Sequence, residues 1–487
     1  MTIKTLHRAG AALALLLAGT ALAPAQTVTM TMTPPAEETN RDWNTPGDFN
    51  LSPSMQGLVG HDPVTGAYDT SALAESWTVN DSFTEWTFKL HDKAEFHFGW
   101  GPVTAADVIH SLALHTGEDS TLIGVRQLKD VTAEALDDKT VKFTLPEPQV
   151  DFLFAHGGRG SLVIYSKAQF DAEGLEGYDA RPAGTGEFQF VSRDVGQGLG
   201  FERVENHWSG RDALIERLEL RFMAEPATAL ATLLAKESDL AILPRELQPD
   251  AIGAGFNVVS SSNAANQTAM LFNGTFLTDG DDMLDPTLPW LDKRIREAIN
   301  RAIDRQAVID VLYDGRASIL PVFAMDPRHE GYVPELAEKF EEYYGFDPAR
   351  ARALRAEAGY PEAFANPKVP ILSTALAGNP EFATMAELMH VFLTEVGIQA
   401  EIVEMDWAGL GALRRAREAR MFHPMRNLPV KPSAVGINNY YASAGRPNVN
   451  YEDPVIEALN AEYAQTIDPA RRNELAGKIF TQAFENY

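Results

Sequence analysis

The sequence predicts an exported α/β protein of two or more lobes, and three observations carry that expectation. The stretch RLELRFMAEPATALATLLAKESDLAIL reads as strand, helix, strand, the crossover unit from which α/β sheets are built. The chain has 487 residues, several times a typical domain of about 100 to 150. Its first 25 residues have the charge and hydropathy of a secretory leader.

In that leader, Lys4 and Arg8 form a positive n-region, Ala9 to Ala21 is an apolar run, and Ala23-Pro24-Ala25 is a small-x-small cleavage site, so the mature chain is expected to begin at Gln26. The apolar run is shorter than the roughly 20 residues that span a bilayer. With 68 acidic against 41 basic side chains the net charge is −27, which argues against nucleic acid or anionic lipid as partners. The absence of cysteine excludes disulfide staples, thiolate metal sites and a cysteine nucleophile, and leaves nothing at the cleavage site to acylate. A freely diffusing periplasmic protein is the expectation.

The elements follow in order. Trp86, Phe88 and Leu90 alternate with Thr87 and Lys89, as in a half-buried strand. Thr104 to Asp107 is a capping-box start for a helix that places Ala105, Val108, Ile109 and Leu112 on one face. VTAEALDDKTVKFTLPEP predicts two strands around Asp137-Asp138-Lys139, and FLFAHGGRGSLVIYSK a loop leading into another strand. Gly184 to Trp208 predicts a strand, a glycine loop and a strand. PWLDKRIREAINRAIDRQAVIDVLYDG is the longest helical signal, with Leu291, Ile295, Ala298, Ile299, Ala302 and Ile303 on one face and Lys293, Arg296, Glu297 and Arg301 opposite; Gly315 ends it. Asp347-Pro348 and Asp468-Pro469 each pair an N-cap Asp with Pro at the first helical position. Residues 427–450 are rich in Pro, Gly, Asn and Tyr, as functional loops are.

No catalytic set emerges. His110 and His115 stand five apart and diverge by roughly 140° on a helix, too far for a zinc pair, and His91 and His97 flank a turn. These histidines are read as structural. The run Gly196-Gln197-Gly198-Leu199-Gly200 lies between strands, whereas a nucleotide loop must open a helix. Gly160-Ser161 lacks the x-Gly of a nucleophile elbow, and Asp279-Gly280-Asp281-Asp282 lacks calcium-loop spacing. No cofactor, metal site or catalytic residue is assigned.

Four segments in order resemble the extracytoplasmic solute-binding proteins of ABC importers, specifically the large peptide/nickel-binding family, bacterial solute-binding protein family 5. They are LAESWTVNDSFTEWTFKLHDKAEFHFG with PVTAADVIHSL, RPAGTGEFQFV with ERVENHW, LDKRIREAINRAIDRQAVIDVLYDG, and YGFDPARARALRAEAGYP. The resemblance implies a two-lobed periplasmic-binding-protein α/β fold with an extra subdomain inserted in the first lobe. Residues 1–25 are then signal peptide, 26–55 and 180–268 first lobe, 56–179 the inserted subdomain, and 269–478 second lobe, with 479–487 starting a return to the first lobe that stops short. The first crossing between lobes falls at Met270-Leu271-Phe272-Asn273. Ligand sits between lobes that close as a hinge and are presented to a membrane permease, without bond chemistry.

In peptide-binding relatives the second lobe carries a tryptophan and an aspartate that pairs with the peptide amino terminus. The corresponding stretch here, FHPMRNLPVKPSAVGINN, contains no Asp, Glu or Trp. Arg426 stands where an acid is expected, which favours an anionic, carboxylate-bearing or hydroxylated ligand. Asn273, Trp407, Tyr440 and Tyr441 complete the candidate site, as placed polar groups among aromatic walls. The expectation is a monomeric periplasmic receptor that captures a peptide or peptide-like solute for an ABC permease. Alternatives are a non-peptide solute such as an oligosaccharide, opine-like compound or nickel chelate, a sensory receptor, and a secreted hydrolase.

Overall fold

The computed structural model describes residues 26–487 except 36–37, 42, 44–50, 63, 119, 121–127, 129, 157–161, 261–262, 265, 277–284, 363, 375–378, 380, 429–431 and 443–451. The leader, the Gly160-Ser161 pair and the acidic run 279–282 therefore lie outside the described residues, as does part of the 427–450 segment.

The crossover unit forms as expected and builds a five-stranded sheet. Strand Arg217–Phe222 runs parallel to Thr27–Met32, helix Pro226–Leu234 crosses over, and Leu240–Ala241 pairs with the other side of Thr27–Met32. The hairpin Phe188–Asp194 and Gly198–Arg203 adds two antiparallel strands on the far edge. Gly198 is required at its turn: φ is +153°, and a Cβ would lie 2.0 Å from the Leu220 carbonyl oxygen. Tyr165, Tyr178, Phe190 and Phe201 form the core against this sheet.

A second unit is an antiparallel sheet in the order Ala74–Val79, Glu85–Leu90, Thr140–Thr144, Thr132–Asp137. Trp86, Phe88 and Leu90 are buried and their alternating neighbours are not. Helix Ala105–Thr116 starts at the capping box: the Thr104 amide donates to Asp107 Oδ2 at 2.8 Å. Its Ala105, Val108 and Leu112 enter the core with Phe88 and Phe143, each buried large side chain contributing about 1.5–3 kcal/mol. The strand expected near Val163 does not form. Ile164 and Tyr165 are buried, but their amides donate to Gln56 O and Ser111 Oγ rather than to a ladder, and helix Lys167–Ala180 follows at once.

A third sheet runs Gln267–Phe272, Phe422–Asn427, Phe364–Ser373, Ile398–Glu404. The long helix expected from 289 onward is divided into a short 3₁₀ turn Pro289–Leu291 and helices Lys293–Ala302 and Arg305–Tyr313. Ile303 is extended (ψ 114°), and Asp304 caps the second helix by accepting from the Ala307 amide at 2.9 Å. Arg296, expected on the solvent face, is 5% exposed; it donates to the carbonyls of Trp290, Leu291 and Asn486, so it braces backbone. Asp347 and Asp468 both cap helices, accepting from Arg350 and Arg471 amides. Within 427–450, Ser433–Tyr440 is a helix. Residues 479 to 485 continue helix Pro469–Glu485, whose Ile479, Phe480 and Phe484 pack with Tyr463, Ile456 and Phe340.

Candidate functional site

A cavity of about 1070 Å³ runs along strand Gln267–Phe272. It is bounded on one side by Arg245 and Asn263, from the segment that follows the five-stranded sheet, and on the other by residues packed on the third sheet. Thr268, Met270, Phe272 and Phe422 floor it, with Met385 and Met389 from helix Phe382–Glu395. The rings of Phe272 and Phe422 are stacked at 4.9 Å. Deeper in, Phe323, Tyr440 and Tyr441 contribute aromatic walls. Mostly apolar walls with a few placed polar groups are what a buried small-molecule site requires.

The polar groups are held firmly. Arg305 donates to the carbonyls of Asn300 and Tyr344 and to Asn300 Oδ1, and lies over the rings of Phe340 and Tyr344; burial pushes its pKa down to about 10. Arg328 is clamped by Asp326 at 2.7 and 2.9 Å. These two arginines are anchored in the wall, with their charge already matched or braced.

Of the five residues singled out from the sequence, Arg426 and the two tyrosines lie on opposite faces of the third sheet, and Trp407 and Asn273 lie beside it. Arg426 pairs opposite Thr268 in the antiparallel register, so both side chains share one face, and Nη1 of Arg426 donates to Asn379 Oδ1 at 3.1 Å. Tyr440 and Tyr441 line the cavity from the opposite face: Tyr440 donates to the Arg426 carbonyl at 3.0 Å and Tyr441 to the Phe323 carbonyl at 2.7 Å. Burial pushes the Tyr440 phenol up to about 12 and Tyr441 further, so both stay protonated donors. Trp407 packs beside Leu410 and Met421 with the Arg414 guanidinium 5.0 Å from its ring. Asn273 is fully buried beyond the strand end, its backbone tied to Met421 and Trp290, and neither carboxamide atom reaches a partner among the described residues. Trp407, Asn273 and Arg426 are not among the residues that line the cavity.

The sequence reading missed a cluster at the cavity edge. Arg245 reaches across the boundary so that its guanidinium lies 4.4 Å from the Tyr313 ring centroid and 3.6 Å from Glu381 Oε2. Glu381 also accepts from the Tyr313 hydroxyl at 3.3 Å and from Asn379 Nδ2 at 3.5 Å. Glu381 thus places a carboxylate beside Arg245 and Tyr313, both of which line the cavity. Nothing periodic marks Arg245 or Glu381 in sequence; the Asn379-Pro380 pair, a turn signal before a helix, was the available hint.

Further polar ties join segments distant in sequence. Arg316 donates to Gln248 Oε1 at 2.8 Å, and Asn263 Nδ2 to the Val64 carbonyl at 2.8 Å. Arg472 sits 3.3 Å from Asp151 Oδ2 while also donating to Glu330 at 2.8 Å.

The histidines are bound into backbone. His97 and His115 donate from Nε2 to the Gly186 and Val163 carbonyls at 2.8 and 3.2 Å, His91 donates to Thr70 O, and His110 packs edge-on to Phe170. Among the described residues no group of three His, Asp or Glu is placed to hold a metal, and no helix is long and apolar enough to cross a membrane.

Comparison with known proteins matches residues 70–448 to the family model described as bacterial extracellular solute-binding proteins, family 5 Middle. Heme-binding protein A of Haemophilus influenzae is 28% identical over 411 residues, covering 80% of this chain and 69% of that protein. The solved structure of HbpA2 from Haemophilus parasuis superposes with a TM-score of 0.73 at 23% identity, covering 95% of this chain and 92% of that one. The periplasmic binding protein DppA from Helicobacter pylori, solved in complex with peptide STSA, gives 0.67 at 21%, covering 95% and 91%. The two-lobed architecture is shared. The chain belongs to the bacterial extracellular solute-binding proteins of family 5.

Proposed function

We propose that this protein is a periplasmic receptor that captures a small solute in the interlobe cavity and delivers it to the permease of an ABC importer, acting as a monomer without bond chemistry. The lobes correspond to residues 26–55 with 180–268 and to 269–478, with 56–179 as an inserted subdomain. The observation that carries the reading is the cavity of about 1070 Å³, floored by Thr268, Met and Phe and edged by Arg245 and Tyr313. Apolar walls take up the body of a solute and the edge groups fix its polar ends.

A peptide or peptide-like solute, bearing a carboxylate, is the leading class. Arg426, steered by Asn379 at 3.1 Å on the face of Thr268, is proposed as the anion partner, with Tyr440 and Tyr441 as wall residues. The DppA structure solved with a peptide supports that class, and the name of heme-binding protein A supports a larger carboxylate-bearing solute.

The test is a thermal-shift screen of the chain from Gln26 against pools of free-amine peptides, N-acetylated peptides, oligosaccharides, opine-like conjugates, nickel chelates and heme. A ligand at 100 times its dissociation constant adds about 2.7 kcal/mol of stability. A clear shift with one pool, weakened about tenfold or more in affinity by Arg426→Ala, is expected. Absence of a shift with every pool refutes the receptor reading, and an unchanged affinity in the variant refutes the role of Arg426.

A further inference from the structure

The cluster at the cavity edge has the form of an occupied cation site. Glu381 opens helix Phe382–Glu395, yet its carboxylate accepts no capping bond from that helix. It is turned instead toward Tyr313 and Asn379 and is 8% exposed. A charge-assisted hydrogen bond is ordinarily about 2.7–2.9 Å, whereas the contacts of Glu381 to Tyr313, Asn379 and Arg245 are 3.3, 3.5 and 3.6 Å. Among the described residues the contacts of this nearly buried carboxylate are long, which leaves it under-compensated there, and a closely seated donor cation relieves it.

The second half of the site is the ring of Tyr313. The Arg245 guanidinium stands 4.4 Å from its centroid, within the range in which the ring face attracts a cation. Carboxylate and ring together make a cage for a planar or compact cation. The guanidinium in it comes from the opposite lobe on a 38% exposed side chain, carried by the short turn Arg245–Leu247. Arg245 and Tyr313 both line the cavity.

We propose that Glu381 and the face of Tyr313 form a cation subsite of the solute cavity, that Arg245 fills it from across the boundary in this structure, and that a solute bearing a protonated amine or guanidinium is recognised by taking that place. This rests on the receptor reading and deepens it. Asn379 links Glu381 to Arg426, donating to one and accepting from the other, so opposite charges of one solute have adjacent partners. The ligand class is zwitterionic: a cationic group at Glu381 and Tyr313, with a carboxylate toward Arg426.

Chemical rescue tests the subsite without knowledge of the solute. Arg245→Ala removes the resident guanidinium, and N-ethylguanidinium chloride is titrated into that variant at low millimolar concentration against matched sodium chloride. A saturable rise in Tm of about 2 °C or more is expected in Arg245→Ala. The rise is expected to vanish in Arg245→Ala combined with Glu381→Gln, and to shrink with Tyr313→Leu. No saturable rise in Arg245→Ala, or an equal rise with Glu381→Gln present, overturns the proposal. Glu381→Gln alone, folded by circular dichroism, checks that the carboxylate is not needed for folding. The solute screen separates the two readings: a solute that shifts the parent chain while rescue fails refutes the cation subsite alone. Rescue without any solute shift leaves Glu381 and Tyr313 as a cation site but refutes the receptor reading and, with it, recognition of a solute there.

Discussion

At the scale of single residues, the polar side chains of this protein are spent on fixing backbone. His97 and His115 illustrate it, each donating to one carbonyl, and burial lowers the pKa of each to about 4. In the unfolded chain both titrate near 6.5. The folded pKa is depressed, so the contribution is fully present above about 6.5 and is lost as pH falls toward 4, about 3 kcal/mol for each histidine. Asp151, raised to about 6 by burial, acts in the opposite sense over part of that window and offsets one histidine in part. Net stability is therefore expected to fall from pH 6.5 to 4. Thermal unfolding at a series of pH values checks this: His115→Phe, which keeps a ring against Tyr165, should flatten the slope. An unchanged slope would show that His115 is not the titrating group.

The residue scale also explains what the sequence did not disclose about the site. The sequence reading takes Trp407, Tyr440 and Tyr441 as aromatic walls of a ligand cleft, and the structure places two of them on the cavity and one in an adjoining packed cluster. Arg245, Tyr313 and Glu381 lie 68 residues or more from one another in sequence, as their contacts record. No local periodicity encodes such a meeting; it depends on how three separately folded elements dock.

At the scale of elements, the strands and caps were legible because they depend on neighbours in sequence. The alternation of Trp86, Phe88 and Leu90, the capping box at Thr104 and the Asp-Pro starts at 347 and 468 all appear in the structure. The two misreadings share a cause. Leu291 to Ile303 has helical periodicity throughout, but Asp304 competes as a cap and extends Ile303, breaking the helix. Near Val163 the apolar run has strand composition, yet its amides are satisfied by a loop carbonyl and a serine hydroxyl. Asp304→Ala is expected to destabilise by about 1 kcal/mol, because the Ala307 amide loses its acceptor. Urea unfolding of that variant measures it, and a change below about 0.3 kcal/mol would show that the break does not depend on the cap.

At the scale of the whole molecule, polar ties link segments distant in sequence. Arg472 is shared: Glu330 and Tyr463 hold it from nearby elements, and Asp151 approaches from 321 residues earlier, in the proposed inserted subdomain. Asp151→Ala leaves Arg472 its partners Glu330 and Tyr463 and also removes a carboxyl that burial disfavours, so stability should change by only about 1 kcal/mol. The lobes should separate more readily, read as a larger radius of gyration of the ligand-free chain by small-angle scattering. An unaltered radius would assign the association of the lobes to other ties, such as Arg316 with Gln248. The overall two-lobed order was legible through four family-like segments, because a fold is encoded redundantly along the chain. The ligand was not, because specificity rests on a handful of side chains whose positions the fold alone determines.

Hydrogen exchange of the chain with and without a solute found by the thermal-shift screen tests the receptor reading most directly. Bound solute should slow exchange on both sides of the cavity, in 245–248, 267–273, 305–313 and 382–389, with little change in the antiparallel sheet 74–144. Protection confined to that sheet, or spread evenly over the chain, would contradict capture between the lobes.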